Sequence, residues 1–186
     1  MNVYSIALFV HFVSTLVFFV ALGLEWIGSR QIRRVTPSEQ VRVWMRILNS
    51  ARKIGFASML TTVLSGIYMM ATVWGPVAWI IVTMVSLVLL IALSLALTGP
   101  RMAAVGRALA KETGQVSQTF QSLAHQPLLW ISIQTRVAIT LGIVVLKTAR
   151  PEIGGSLLIL GVAIVLGLAL SLPLPRRERA QEVTAK

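Results

Sequence analysis

The chain has 186 residues, 56% of them hydrophobic and 12% charged, with a mean hydropathy of +0.81. Soluble domains run at about 45–50% apolar and about 25% charged, so the composition argues against a soluble enzyme, a disordered tail and a nucleic-acid-binding domain. The net charge of +11 sits between long uncharged runs, as juxtamembrane charges do, and without cysteine there is no disulfide framework, thiolate metal site or cysteine nucleophile.

A hydrocarbon core of about 30 Å takes about 20 apolar residues in a helix. Val3 to Leu24 is the first such run. No positive charge precedes it and a basic loop follows, so it reads as a retained span rather than a signal peptide. Thr36-Pro37-Ser38-Glu39 then looks like a helix start, with a capping Thr, Pro in the first turn and Glu at the capping-box position. Val41, Trp44, Met45 and Leu48 fall on one stripe, with Arg42 and Arg46 off it. This predicts a short basic amphipathic helix over 37–50, lying at the headgroups.

Lys53 and Arg101 bracket 47 uncharged residues, too many for one span. The turn signal Trp74-Gly75-Pro76 divides them into helices over 54–73 and 77–98. Residues 101–111 form a second amphipathic stretch with Met102, Val105 and Leu109 on one side, and Gly114 to Gln126 is a polar loop with a helical piece. The fourth span covers 127–146 and is interrupted only by Arg136. The fifth covers 153–173 and is stopped by Pro173-Leu174-Pro175, leaving a basic tail over 176–186. The expected fold is all-α: a five-transmembrane-helix bundle over 1–175, with no internal repeat.

Five spans place the 25–53 loop, the 100–126 loop and the tail on one side, with seven, three and four Lys/Arg; the other side holds Lys147 and Arg150. The asymmetry predicts the N-terminus outside and the C-terminus in the cytoplasm of a bacterial inner membrane. The expected partners are anionic headgroups on the cytoplasmic side, and a second copy or a larger membrane complex; nucleic acid is not expected. Small residues recur every four positions in two spans, as Ser58, Thr62, Gly66 and as Ala163, Gly167, Ser171, which predicts packing seams.

Arg136 lies nine residues into its span, near mid-membrane, where an Arg costs about 2.5–3.5 kcal/mol on insertion scales. No Asp or Glu stands at that depth in any span, so no carboxylate partner is expected. Ser132 and Thr140 give its face polar neighbours. Arg136 is then a structural pin, the lining of a wet cavity, or the holder of an anionic ligand group. His11 lies mid-span in the first helix, near Ser14 and Thr15. It is either a buried hydrogen-bonding residue or a metal ligand. At similar depth, His11 and Arg136 would make one buried site if their helices touch. His125 falls at interface depth, and Met59, Met69, Met70 and Met84 are weak second ligands. Motifs for ATP hydrolysis, dinucleotide binding, zinc proteolysis and acid–base glycosidase chemistry are all missing.

The first helix with its central His (Leu8-Phe9-Val10-His11-Phe12), the basic Trp44-Met45-Arg46, the second helix ending Leu64-Ser65-Gly66-Ile67-Tyr68 and the fourth running from Arg136 to Leu146-Lys147-Thr148-Ala149-Arg150-Pro151 form a pattern. It resembles small bacterial integral membrane proteins near the copper-resistance D family and the membrane protoporphyrinogen oxidase (HemJ) family. The resemblance implies His11 as a haem iron ligand. The leading functional expectation is therefore a b-type haem held at His11, with Arg136 near a propionate and Ser14, Thr15, Ser132 and Thr140 around it, in a redox or haem-linked role. The alternatives are a non-catalytic accessory subunit or assembly factor, and a small channel or transporter.

Overall fold

The computed structural model describes residues 2–172; Pro173 to Pro175 and the basic tail over 176–186 lie outside the described residues. These residues form seven helices: α1 (Val3–Ile32), α2 (Ser38–Met69), α3 (Ala78–Leu93), α4 (Gly99–Leu109), α5 (Gln118–Ala124), α6 (Pro127–Ala149) and α7 (Ile153–Ala169). There is no strand among them, only an isolated bridge between Pro37 and Gln115. Two π-helical turns complete the list: Met70–Trp74 extends α2, and Ser94–Thr98 joins α3 to α4 without a break. Four helical stretches are long and apolar enough to cross a membrane, and α7 is a shorter apolar helix of 17 residues. The chain is a multi-pass membrane protein of helical bundle type.

Two antiparallel pairs, α1 with α2 and α6 with α7, carry the bundle, and α3 packs against α6 and α7. The α1–α2 seam repeats every seven residues. Ser14 Oγ meets Thr62 Oγ1 at 2.9 Å, a side chain at Gly55 would come within 3.1 Å of Ala21, and one at Gly28 within 2.8 Å of Leu48. Positions 14, 21 and 28 thus oppose 62, 55 and 48, the register of a left-handed antiparallel pair whose small residues let the backbones close up. Thr62 of the expected stripe lies on this seam, while Gly66 leaves room for the His11 ring. The second stripe forms the α6–α7 contact. A Cβ on Gly167 would lie 2.6 Å from the Thr135 Cα, and one on Gly142 would lie 2.9 Å from the Ala163 Cβ.

The basic end departs from the sequence reading. Residues 38–50 are not a separate helix at the headgroups but the first turns of α2, running on into the span. Their stripe is consumed by the protein itself. Val41, Met45 and Leu48 pack with Met102, Val105 and Leu109 of α4, with Phe120 and Ala124 of α5, and with Leu129 and Ile133 of α6. Phe120, Leu48 and Val41 are fully buried, and burial of each such side chain contributes about 1.5–3 kcal/mol. Two amphipathic stripes that could each have lain on lipid lie on each other. The linkers are pinned to match: Ser38 N donates to Gly114 O at 2.8 Å, Val116 N to Thr36 O at 3.0 Å, and Arg42 Nη2 to Glu112 O at 2.8 Å.

At this end Trp26 and Trp130 gather under Arg30, whose guanidinium lies 4.2 Å and 5.6 Å from their ring centres; Trp74 and Trp79 pair edge to face at the α2–α3 hairpin, under Arg150. Indoles collect where a span meets water, so the two groups mark its ends. Gly75, at φ +68°, supplies the positive-φ turn that closes the hairpin.

Two buried polar centres as the candidate functional site

Near the basic end, Arg136 of α6 reaches Glu25 of α1. The guanidinium pairs with both carboxylate oxygens, Nη1 to Oε1 at 3.3 Å, and each side chain is 7% exposed. Nη1 also donates to Ser94 Oγ at 3.2 Å and Thr98 Oγ1 at 3.3 Å. Both hydroxyls come from the second π-helical turn, which has a local cause. Pro100 has no N–H to return to the carbonyl four residues back, and its ring crowds that turn, so the ladder widens just before it. Thr98 Oγ1 lies 2.9 Å from Ser132 Oγ, which also donates to Leu93 O at 3.3 Å.

The expectation that Arg136 lacks a carboxylate is corrected here. The apolar run ends at Leu24, but α1 continues to Ile32, which carries Glu25 inside the bundle. Arg136 stands six residues from Trp130, or about 9 Å of helix rise. Side chains lean toward their helix N-terminus. On antiparallel α1 and α6 the two charges therefore lean toward each other.

Near the hairpin end, His11 is held at both ring nitrogens. Nδ1 lies 3.0 Å from Thr62 O and 3.1 Å from Ser65 Oγ, and Nε2 lies 2.9 Å from Lys147 Nζ. The Ser65 hydroxyl gives its proton to Thr61 O. The network thus assigns the proton to Nδ1 and leaves Nε2 to accept from the Lys147 ammonium. Thr15 Oγ1 donates to His11 O at 2.7 Å, and Ser14 Oγ does so at 3.1 Å.

The structure does not bring His11 and Arg136 into one site. Three cross-helix pairs, 26 with 134, 25 with 136 and 11 with 147, rise on α1 as they fall on α6. His11 and Glu25 stand fourteen residues apart on α1, about 21 Å. Met59, Leu87, Leu90, Ile139 and Ile143 pack as an apolar cluster in the bundle interior, with Phe18 against it. Ser132 belongs to the Arg136 centre, while Ser14 and Thr15 belong to His11; Thr140 donates to Arg136 O at 2.8 Å and also lines the His11 cavity. His125 stands at the end of α5, its Nδ1 2.8 Å from Gln121 O. The residue missed altogether is Lys147, read from its place at a helix end as an orientation charge.

His11 is closely surrounded as it stands. Its ring nitrogens are both engaged, and the cavity beside it holds about 100 Å³, below the ~300–1,000 Å³ of pockets that enclose a drug-sized ligand. Met69, Met70 and Met84 line that cavity, while Met59 lies in the apolar cluster. Among the described residues no three His, Asp or Glu gather as a metal site. No protein-family model, curated protein or solved structure matches the chain.

Proposed function

We propose that this is a non-catalytic protein of the bacterial inner membrane, N-terminus outside and C-terminus cytoplasmic, serving as an accessory subunit or assembly factor of a membrane complex. The observation that carries the reading is that both buried centres are spent on fastening helices. The Arg136 guanidinium ties α1 to α6 and to the π-helical turn, and the His11 imidazole ties α1 to α2 and α6. A guanidinium and an imidazole engaged in this way hold a bundle together, and neither His11 ring nitrogen is left open as a base or metal ligand.

The absorption spectrum of the purified full chain tests this. No Soret band is expected, either as isolated or after haem addition, and His11→Ala should lower the unfolding temperature without altering the visible spectrum. A Soret band lost in His11→Ala would restore the haem protein. A reporter fused after Lys186 should remain cytoplasmic; an external one would reverse the orientation.

A further inference from the structure

Lys147 is more than a fastener. It lies in the last turns of α6, where a lysine ordinarily extends its ammonium outward to the headgroups. Here Nζ instead lies 2.9 Å from His11 Nε2. Lys147 is among the residues lining a partly open cavity of about 100 Å³ between α1, α2, α3 and α6, whose wall, with Phe18, Met84, Trp74 and Trp79, is almost wholly apolar.

That wall has little else to offer a ligand. The Thr15, Thr83 and Thr140 hydroxyls donate to the carbonyls of His11, Trp79 and Arg136, and the Thr62 hydroxyl pairs with Ser14. Among the described residues Lys147 has no carboxylate partner; the ion pairs there are Arg42–Glu39 and Arg136–Glu25. An ammonium carries three donors, and the one acceptor found for it is neutral. A second cation, Arg150, packs on the indoles of the wall, 4.9 Å from Trp74 and 6.0 Å from Trp79. Lys147 is half-buried; the part of its charge that is left unpaired in an apolar surrounding is costly, and an anion entering the cavity would lower that cost.

We propose that this cavity binds a small monocarboxylate with a short apolar tail, its carboxylate paired with Lys147 Nζ and its tail against Met84 and the two indoles. The size follows from the volume: a sealed cavity of about 150 Å³ accepts benzene, so a partly open one of about 100 Å³ suits an acid no larger than a few carbons, with part of it left in the opening. The lack of free hydroxyls predicts that hydroxylated acids bind less well than plain ones, since their hydroxyl would lose its water without a partner. A free short-chain acid and the head of a membrane fatty acid share this chemistry. The inference goes beyond the accessory reading and does not rest on it, because a bundle fastened at His11 keeps the cavity whatever its partners.

The test is tryptophan fluorescence of the purified full chain in detergent, titrated with sodium butyrate. Controls are 1-butanol, which has the tail without the charge, and sodium chloride at matched ionic strength. Butyrate should give a saturable change that neither control gives, and should raise the unfolding temperature. Lys147→Met should weaken butyrate at least tenfold. Should that variant misfold, Met84→Trp, which fills the cavity and keeps Lys147, should abolish the response. Decanoate displacing butyrate assigns the site to a membrane acid, and failure to displace it assigns a free one. No saturable butyrate response in the wild type, an equal response to butanol, or unchanged affinity in folded Lys147→Met would overturn the proposal.

Discussion

Arg136→Ala should destabilise the bundle by about 3–5 kcal/mol, the cost of leaving one member of a buried ion pair without its partner. Glu25→Ala should cost about as much, because each side chain is the other's counter-charge and both are buried. The double variant should cost clearly less than the sum, since the second change removes the charge that the first one stranded. Glu25→Leu with Arg136→Met, which keeps the volume and drops both charges, should recover much of the loss and can equal the wild type. Unfolding followed by circular dichroism in detergent checks all four proteins. Additive losses would mean that the two residues act separately. The Ser94 and Thr98 hydroxyls, each with one bond to the guanidinium, should matter less, at about 0.5–1.5 kcal/mol each when removed.

The α6–α7 contact should be nearly as sensitive, for a steric reason. At Gly167 an added Cβ would stand 2.6 Å from the Thr135 Cα and 3.2 Å from the Ala138 Cβ. A backbone atom cannot turn aside as a side chain can, so the two helices must separate along their length. Gly167→Ala should cost about 1–3 kcal/mol by overpacking, and Gly167→Leu should release α7 from the bundle. Gly161, on the same helix, has open space around its Cβ position. Gly161→Ala should be neutral or stabilising by up to about 1 kcal/mol, because alanine restricts the unfolded chain. Protease sensitivity of the α6–α7 link, read beside the unfolding curve, distinguishes local release from global unfolding. Equal tolerance at the two positions would remove the close approach from the account.

Much of the polar interior was visible as spacing along α1. His11, Ser14, Phe18, Ala21, Glu25, Gly28 and Ile32 recur at intervals of three and four in a helix otherwise rich in Val, Leu and Phe. That interval marks one face of a paired helix, and it holds both His11 and Glu25. Counting depth from the edge of the apolar run excluded Glu25, because hydropathy registers where charge begins, not where the helix leaves the bundle. The same limit applied to the amphipathic stripe at Val41, Met45 and Leu48. A one-sided apolar pattern reports that a face is covered; it does not tell a lipid surface from a protein one.

The number of apolar runs, the turn at Gly75 and the small residues at Ala163 and Gly167 follow from the chain alone, because lipid selects them residue by residue and locally. The partners of Arg136 and His11 do not. Glu25 is 111 positions from Arg136, and Lys147 is 136 positions from His11. Only the antiparallel register of α1 against α6, set by packing among all the helices, decides which charges share a depth. That register divides one imagined His–Arg site into two, one a closed ion pair and the other a His11–Lys147 contact beside an apolar cavity.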